Sequence, residues 1–457
     1  MKFNQKILVS TLCLSILSIF QIAFSQVRLP RLISDGMLLQ RDANVKIWGW
    51  ATADEKITIN FRDKTYHTTA DKNVNWAVIL SESKAGGPYN MEIHASVGGS
   101  PAEAWISEGA LKAFPAHFDT FSEKIDQLRE QYHIPGMSIC VIEKHKVKFS
   151  RGLGYSDLEE KIPATENTPY HIASLTKPFT AVLIMRFIEA GKLELDSNMA
   201  DLLKDAEFKV NDMNVKGYEN LCQTLKPLIN YKGDTHVLTV KHHVTHTAHG
   251  VPGEKYRYSG YLFGLLTEVL ESVSGKKFDK LLAEEITTPL EMYNTVPGLD
   301  STHTNRILNN RAKPYKIDNS SAFSISRYPG RIRASAGMVS TVLDLAKFDI
   351  AIDENRLISE SSKQLMFTPN HNNKGERLPY AIGWFVQEYK GIQLIWHYGW
   401  QPDSYSSLIL KVPKKEMTFI LLANSDGASA SFNLGEGNVL NSPFARAFLE
   451  LLIGLDL

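Results

Sequence analysis

The sequence predicts an all-β domain followed by an α+β domain, and three observations lead to this prediction. From about residue 27 to 100, short runs alternate apolar and polar residues with period two. From about residue 115, apolar residues recur at intervals of three and four, as on one face of a helix. Strand-like runs return near residues 380–423. We therefore expect an antiparallel sheet that joins both ends of the second domain, with flanking helices and a helical middle region.

The first domain, residues 26–112, is predicted to be a small β-sandwich. Val45–Trp50, Lys56–Phe61 and Trp76–Leu80 alternate with period two. Turn clusters such as Lys84–Pro88 separate such runs. Short strands at roughly ten-residue spacing are typical of a sandwich.

The second domain, residues 113–457, begins with an amphipathic helix that ends at Pro135-Gly136. Its apolar positions are Phe118, Phe121, Ile125, Leu128 and Tyr132. We expect strands near 137–143, 146–152, 380–388, 393–397, 406–411 and 417–423, and helices near 175–192 and 261–274. Residues 202–236 are polar, and we interpret them as an irregular insertion.

Composition narrows the classes of function. The chain has 457 residues, enough for two domains, and its 50 basic residues balance 50 acidic ones. A net charge of zero argues against a protein whose main partner is nucleic acid or an anionic membrane.

The N-terminus predicts export. Lys2 and Lys6 precede an uncharged, apolar run over Ile7–Phe24, and Ala23-Phe24-Ser25 is suited to cleavage before Gln26. Residues 1–25 are thus predicted to be a signal peptide, and the mature protein to be periplasmic or extracellular. A retained membrane anchor is the alternative, because the apolar run is long for a signal.

Three cysteines are present, and Cys13 would leave with the signal peptide. Cys140 lies in an apolar run that predicts a buried strand, and Cys222 lies in a polar helical stretch. The two could form a disulfide, but two separate thiols are favoured.

A Ser-x-x-Lys tetrad occurs three times, at Ser81/Lys84, Ser174/Lys177 and Ser274/Lys277. The first precedes a Gly-Gly-Pro turn, and the last follows an amphipathic helix as its C-terminal stop. Only the middle tetrad begins a strong helix. Residues three apart share one helix face, so the Lys177 amine can reach the Ser174 hydroxyl. The helix start also offers an unpaired N–H to an oxyanion, and a desolvated lysine can act as a base.

Tyr170–Pro178, which contains this tetrad, resembles the serine-hydrolase family of class C β-lactamases, penicillin-binding DD-peptidases, D-aminopeptidases and related esterases. The resemblance covers about residues 115–455. Further matching segments are His133–Ser138, Gly152–Asp157, Leu238–Thr247 and Gly337–Thr341 with Asp344-Leu345-Ala346. It implies a β-lactamase-like fold, Ser174 as nucleophile and Lys177 as its partner, with no cofactor and no metal.

The family's second motif, Tyr-x-Asn, matches Tyr258-Ser259-Gly260. By this resemblance Tyr258 shares or relays the serine proton, and a nearby lysine ammonium should lower its pKa. Gly260 stands where the family has an asparagine that contacts lysine and substrate, which puts recognition of a substrate amide in doubt. Tyr256 is a rival to Tyr258, because two residues apart on a strand share a face.

The third motif matches His397-Tyr398-Gly399, a His-x-Gly version of the family's Lys-Thr-Gly. Gly399 would let substrate approach the backbone, and the resemblance gives the Trp400 N–H as the second oxyanion donor beside that of Ser174. His397 would bond near the substrate or orient Tyr258. The remaining cluster, His242, His243, His246 and His249, could suggest a metal, but the family match favours a structural role.

These residues predict an exported serine hydrolase that forms an acyl-enzyme on a small ester, an amide or a D-amino-acid peptide. One alternative is a catalytically silent protein on the same scaffold that binds cell-wall peptide or glycan. Another is a weak β-lactamase, which is less favoured because His397 replaces the lysine that would face a β-lactam carboxylate.

Val27–Asp42, Trp48-Gly49-Trp50 and Ala85–Tyr89 resemble the start of sialate O-acetylesterases. The catalytic serine motif of those esterases is missing from Ala104–Glu108, so the resemblance implies only a β accessory domain. This domain could be a spacer or could contact glycan through Trp48 and Trp50, although a core position is favoured for both tryptophans.

Overall fold

The computed structural model describes residues 44–51, 53–72, 74–81, 91–97, 100–102, 116–210, 213–229, 237–298, 301–318, 323–325 and 331–455. Contacts divide the chain into two units, Met1–Phe114 and Pro115–Leu457. The predicted signal peptide and the turn at Lys84–Pro88 lie outside the described residues, as does most of the segment that resembles sialate O-acetylesterases.

The first unit contains two antiparallel sheets around one apolar core. Its strands are β1 (Val45–Trp50), β2 (Lys56–Phe61), β3 (Lys64–Thr69), β4 (Asn75–Leu80), β5 (Met91–Val97) and β6 (Ser100–Ala102). One sheet has the order β1-β4 and the other the order β3-β2-β5-β6. Ile47 and Val78 from the first sheet share a core cluster with Ile57 and Ile93 from the second. The strands thus form where period-two alternation places one face of each sheet inside.

Trp48 and Trp50 lie one beside the other on β1. Both are half-buried, their ring centroids are 5.3 Å apart, and Trp48 also packs against the core cluster.

The second unit is built on a seven-stranded antiparallel sheet with the order β16-β17-β18-β19-β7-β8-β9. These strands are β7 (Gly136–Glu143), β8 (Lys146–Asp157), β9 (Ile162–Pro163), β16 (Phe385–Tyr389), β17 (Ile392–Gln401), β18 (Tyr405–Val412) and β19 (Met417–Ala423). In the register of β7 and β19, Cys140 lies opposite Ile420. Both ends of the unit therefore meet in one sheet, and the predicted α+β fold class is confirmed.

Helices and short two-stranded ladders form the rest of the second unit. The ladders pair β10 (Tyr170–His171) with β15 (Val339–Ser340), β11 (Glu207–Val210) with β12 (Met213–Lys216), and β13 (Tyr315–Ile317) with β14 (Phe323–Ile325). The helices are α1 (Ala116–Gln131), α2 (Thr176–Glu189), α3 (Met199–Leu202), α4 (Tyr218–Ile229), α5 (Val240–Val244), α6 (Gly260–Gly264), α7 (Leu266–Ser274), α8 (Phe278–Leu282), α9 (Ser301–Asn309), α10 (Val342–Asp353), α11 (Glu360–Met366) and α12 (Pro443–Leu451).

Helices cover both faces of the large sheet. Phe419 on β19 contacts Phe121 of α1 and Phe448 of α12. Lys411 on β18 pairs with Asp349 of α10, and its cross-strand neighbour is Thr418. Because successive strand residues point to opposite faces, Thr418 and Phe419 place α10 on one side of the sheet and α1 with α12 on the other. This explains why β7 is apolar almost throughout.

The interpretation of residues 202–236 as irregular is wrong over much of its length. The described part contains the hairpin β11–β12 and the helix α4. Leu221, Cys222 and Leu225 are buried on one side of α4. Their spacing of one and four residues is the helical signal that the polar composition obscured.

Cys140 and Cys222 are both buried free thiols, so the preference for two separate thiols is confirmed. Among the described helices, none has the length and apolar character needed to cross a bilayer.

A buried ion-pair network joins the sheet to α10. The Nζ atom of Lys411 lies 2.5 Å from Oδ1 of Asp349 and 3.0 Å from a carboxylate oxygen of Asp353. Lys411 and Asp349 are almost fully buried, whereas the Asp353 side chain is partly exposed. Burial opposes the charge of Lys411, but the two carboxylates outweigh it and raise the lysine pKa above its ordinary value.

We expect Lys411→Met to lower the free energy of unfolding by about 3–5 kcal/mol, because it leaves the Asp349 carboxylate buried without its partner. Adding Asp349→Leu should recover most of the loss. The exposed pair of Lys276 and Glu284 provides the control, and Lys276→Met should leave stability nearly unchanged. Urea denaturation of the four proteins measures this, and an equal loss in the single and double variants would contradict the expectation.

Candidate active site

Ser174 lies in a three-residue 3₁₀ turn, Ala173–Leu175, that leads into α2. The sequence placed it at the first residues of the helix itself, whereas the α-helix begins at Thr176. The Thr176 hydroxyl donates to the Ala173 carbonyl at 2.9 Å and thereby closes the turn. Ser174 is half-buried, while its neighbours on both sides are buried. The serine is therefore the residue of the turn that remains open to solvent.

Lys177 reaches Ser174 across one helical turn, as the tetrad predicts. Its Nζ atom donates to the Ser174 Oγ atom at 2.8 Å and to the Ser335 carbonyl at 2.8 Å. The amine also lies over the rings of Tyr258 and Phe263, 4.9 and 5.4 Å from their centroids. These contacts aim the amine at the serine oxygen.

The residue directly before the Ser335 carbonyl that accepts from Lys177 is held by two threonines. The Thr180 hydroxyl donates to the Ala334 carbonyl at 2.7 Å, and the Ala334 N–H donates to the Thr267 hydroxyl at 2.8 Å. The loop before β15 is thereby fixed to α2 and α7, so Ser335 presents its carbonyl at a defined place.

Lys177 is fully buried, and no carboxylate within the described part of the chain forms an ion pair with it. Burial lowers its pKa to about 7, because the ammonium form loses its hydration and gains only neutral partners. Near neutral pH a large fraction of the lysine is therefore the free amine, which can accept a proton.

Tyr258 lies beside the serine and lysine, but its predicted ionisation is wrong. Burial, assisted by the neighbouring Tyr398, raises the pKa of Tyr258 well above 10, and the proximity of Ser174 lowers it by less. Lys177 contacts the face of the ring and does not donate to the phenol oxygen. The Tyr258 hydroxyl is buried, and the Ser174 side chain beside it only partly offsets the effect of burial on its pKa. A neutral phenol therefore stands next to the nucleophile.

Tyr256 has a different partner. Its hydroxyl donates to the Gly435 carbonyl at 2.7 Å, and its ring lies against those of Tyr380 and Phe385. It thus anchors the segment before Tyr258 to the C-terminal part of the unit, and Tyr258 is the tyrosine beside Ser174.

His397 is buried on β17 and binds residues other than those expected. Its Nδ1 atom lies 2.7 Å from the Tyr398 carbonyl, and its Nε2 atom lies 2.9 Å from the Tyr380 hydroxyl. Since a carbonyl only accepts, Nδ1 carries the proton and Nε2 accepts from Tyr380. Burial, followed by the charge of Lys177, lowers the His397 pKa well below 6.5. His397 is therefore neutral and orients Tyr380 instead of Tyr258.

Tyr380 is a site residue that the sequence did not reveal. It is fully buried. The centroid of its ring lies 4.6 Å from the ring centroid of His246 and 6.3 Å from that of Tyr258. Nothing in its local sequence marks it, because its partner His397 lies 17 residues further along the chain. A buried tyrosine hydroxyl needs a partner, but only the folded sheet identifies it.

Gly399 lacks a side chain for a reason that lies within the protein and does not involve the substrate. A side chain at this position would collide with the Ile172 carbonyl and the Ser407 hydroxyl, and would also meet Ala173 Cβ. The absence of a side chain thus allows β17 to pack directly against the turn that carries Ser174. Next to it, the Trp400 indole is partly exposed and donates to the Asp426 carboxylate at 3.2 Å.

Gly260 is the first residue of α6, where the Ser259 hydroxyl caps the helix by accepting from the Leu262 N–H. Apart from its chain neighbours and the backbone of its own helix, a Cβ atom built on Gly260 would meet no described atom within 4 Å. The position that holds asparagine in the related motif is therefore open space.

The other two tetrads are accounted for by local structure. Ser274 donates to the Leu270 carbonyl at 2.6 Å, and Lys277 pairs with Glu271 at the surface. The helix α7 ends there at Gly275, whose left-handed conformation confirms the predicted helix stop. The Ser81 oxygen is bonded by Lys64 and Tyr66, and its tetrad lysine lies outside the described residues.

The four neighbouring histidines show no geometry for a metal ion. In the residues that the structure describes, no group of three His, Cys, Asp or Glu side chains is arranged to bind one. His242 and His243 instead bond to Thr239, Tyr218 and Leu262, and His246 bonds to Ser259.

Comparison with known proteins identifies the second unit. A family model described as Beta-lactamase matches residues 121–441. The protein flp of Staphylococcus aureus strain MW2 is 29% identical over 314 residues, which are 64% of this chain. This chain spans 60% of the length of flp. Penicillin-binding protein 4* of Bacillus subtilis strain 168 is 25% identical over 344 residues, which are 68% of this chain and 72% of that protein.

A solved structure supports the fold. The octameric penicillin-binding protein homologue from Pyrococcus abyssi superimposes with a TM-score of 0.60 at 24% identity, over 74% of this chain and 78% of that chain. The family model that matches residues 121–441 confirms the predicted family of the second domain, and this structure supports its fold.

We expect Lys177→Met to raise the free energy of unfolding at pH 6 by at least about 1 kcal/mol, because it removes a buried cation that no described carboxylate compensates. The gain should shrink as the pH rises above 7. The folded wild type then holds the neutral amine while its unfolded chain still binds the proton, so wild-type stability rises toward pH 10. Urea denaturation between pH 6 and 9 measures the gain, and a gain independent of pH would contradict a pKa near 7.

Proposed function

The chain belongs to the beta-lactamase family, and from this premise we propose that it is an exported serine hydrolase that works through an acyl-enzyme. One observation carries the proposal: the Lys177 amine donates to the Ser174 hydroxyl at 2.8 Å from a buried position where no carboxylate of the described residues pairs with it. Such a pair suits nucleophilic catalysis, since a serine hydroxyl is a weak nucleophile until a nearby base accepts its proton.

Lys177 is the base in the proposed reaction. A pKa of about 7 makes its free amine available at neutral pH, whereas the phenol of Tyr258 keeps its proton there. The Ser174 proton passes to the Lys177 amine while the Ser174 oxygen forms a bond to the substrate carbonyl carbon. The resulting ammonium lies between the serine oxygen, a backbone carbonyl and two aromatic rings, which accommodate the charge.

Tyr258 is the proton relay to the leaving group. As the tetrahedral intermediate collapses, the carbon–leaving-group bond breaks, and the leaving atom takes the proton of the Tyr258 hydroxyl. A water molecule then attacks the acyl carbon and gives one proton to the Tyr258 oxygen. The acyl–Ser174 bond breaks as the Ser174 oxygen takes back its proton from the Lys177 ammonium, with which it is in hydrogen-bond contact. We further propose that the N–H groups of Ser174 and Trp400 hold the oxyanion, as the family resemblance implies.

The substrate class that we favour is a small ester, with an amide or a D-amino-acid peptide next and a β-lactam last. His397 is neutral and bonded to Tyr380, so β17 offers no cation here to a substrate carboxylate. Gly260 offers no side chain to bond a substrate amide. An ester needs neither contact, because its leaving alcohol departs without a bonded N–H.

We also propose that residues 1–25 direct export and that residues 26–112 form an accessory domain. The neighbouring Trp48 and Trp50 rings are the candidate contact for a cell-wall glycan, since aromatic side chains combine apolar area with an N–H donor.

A fluorophosphonate probe tests the nucleophile. Wild-type protein should be labelled and Ser174→Ala should not. Ser274→Ala is the matched control, because Ser274 belongs to the same tetrad type but bonds only within its own helix end. Labelling of Ser274→Ala should equal that of the wild type. Equal labelling of Ser174→Ala would contradict the proposal, and a folded wild type that takes no label would favour the silent binding protein.

A pair of substrates with one acyl group, an ester and an amide, tests the role of Gly260. The wild-type protein should have a higher kcat/KM for the ester than for the amide. Gly260→Asn should raise the ratio of amide to ester kcat/KM about 3- to 10-fold, the effect of one added hydrogen bond. The open space around Gly260 admits the side chain.

Gly275→Asn provides the control, since Gly275 also lies in open space but ends α7. This variant should leave the ratio unchanged. A Gly260→Asn ratio equal to that of the wild type would remove the missing asparagine as the reason for ester preference.

A further inference from the structure

Two buried histidines beside the catalytic serine and tyrosine share one contact. The Nδ1 atom of His171 accepts from the Ala173 N–H at 3.1 Å, and that of His246 accepts from the Ser259 N–H at 3.2 Å. Ala173 directly precedes Ser174, and Ser259 directly follows Tyr258. Both imidazoles are about 2% exposed. Each histidine thus holds the main chain at the residue next to a group that acts in the proposed reaction.

Hydrogen-bond donors and acceptors determine the proton position on each ring. An N–H only donates, so Nδ1 of His171 and of His246 must be bare, and their protons lie on Nε2. His243 and His397 have the opposite tautomer, because their Nδ1 atoms face the carbonyls of Leu262 and Tyr398. The tautomer therefore separates His171 and His246, whose Nδ1 atoms accept a backbone N–H, from His243 and His397, whose Nδ1 atoms donate to a carbonyl.

His171 supports a strained part of the nucleophile turn. Ala173 has a φ of 48°, a left-handed backbone conformation that residues other than glycine rarely adopt. The Ala173 Cβ atom also borders the space that Gly399 leaves empty. Without the imidazole acceptor, the buried Ala173 N–H would lose its partner and the turn would lose one of the contacts that stabilise this conformation.

His246 holds the main chain on both sides of Tyr258. Its own carbonyl accepts from the Arg257 N–H at 2.9 Å, while its ring accepts from the Ser259 N–H. The ring centroids of His246 and Tyr258 lie 4.4 Å apart, and the two ring planes form an angle of 37°. His246 is itself left-handed, with a φ of 57°. Its side chain and main chain together fix both the backbone and the ring of Tyr258.

We propose that His171 and His246 are positioning residues that set the places of Ser174 and Tyr258 by accepting these two backbone N–H groups. The inference rests on the proposed hydrolase function. It assigns a role in the reaction to histidines that touch neither the reacting atoms nor a metal. Burial lowers the pKa of both imidazoles far below neutral, so the accepting form persists across the working pH range.

Replacement by asparagine or by leucine tests the contact. The two side chains have the same branched shape, but only asparagine places an oxygen where Nδ1 stood. His171→Leu should lower kcat about 10- to 100-fold with little change in KM, because misplacement of the reacting group affects the chemical step. His171→Asn should restore most of kcat. An equal loss in both variants would overturn the proposal for His171.

His246 needs a second comparison, because asparagine tolerates a left-handed backbone better than leucine does. His246→Leu should lower kcat as much as His171→Leu, but should have little further effect in a Tyr258→Phe background. A loss that persists in full in that background would show a role unconnected with Tyr258. His243→Leu is the control: it removes a buried histidine of the same segment and should reduce thermal stability while kcat stays near that of wild type.

Nitrogen-15 NMR of the histidine rings separates this inference from the proposed function. The free wild type should show His171 and His246 as Nε2–H tautomers, and His243 and His397 as Nδ1–H tautomers. Nδ1–H signals from His171 or His246 would overturn the inference even in an active enzyme. Correct tautomers in a wild type that the fluorophosphonate does not label would instead contradict the proposed function.

Discussion

Burial of Lys177 without a carboxylate is the constraint on which the rest of the site depends. An ammonium group in that place must be held by neutral partners, and the structure supplies a serine oxygen, a backbone carbonyl and two aromatic faces. Two threonines fix the loop that provides the carbonyl. The nearby His246 and His397 imidazoles are neutral, so neither of them competes with Lys177 for a proton. The fold thus lowers the pKa of Lys177 enough for its amine to accept a proton at neutral pH.

The same residue type serves a contrasting purpose elsewhere in the domain. Lys411 is as deeply buried as Lys177, yet Asp349 and Asp353 keep it charged. Burial alone therefore does not determine what a lysine does, because the number of carboxylates in contact decides which form is stable. One lysine ties a strand to a helix, and the other is available for chemistry.

The sequence predicted the parts of the site that depend on local geometry. Ser174 and Lys177 are three residues apart, and helix geometry brings such residues together in any fold. The partner of His397 could not be predicted, because Tyr380 reaches it only when the sheet has formed. The ionisation of Tyr258 was also predicted wrongly, since its pKa depends on burial in the folded domain and on the electrostatic effect of Tyr398, which is distant in sequence. The fold class followed from periodicity, whereas the α4 region was missed because its few apolar residues lie in a polar segment.

Gly399 fixes the distance between the turn that carries Ser174 and the strand β17. The turn of Ser174 packs against the backbone of Gly399 in β17, where the Ile172 carbonyl, the Ser407 hydroxyl and the Ala173 Cβ atom leave no room for a side chain. The two N–H groups that we propose as oxyanion donors belong to residues on either side of this contact. Their separation is then a mechanical property of the domain, set by the smallest distance at which two backbones can pack. No substitution at Gly399 can bring these two N–H groups closer together, because glycine is already the smallest residue. Every larger residue would move them apart.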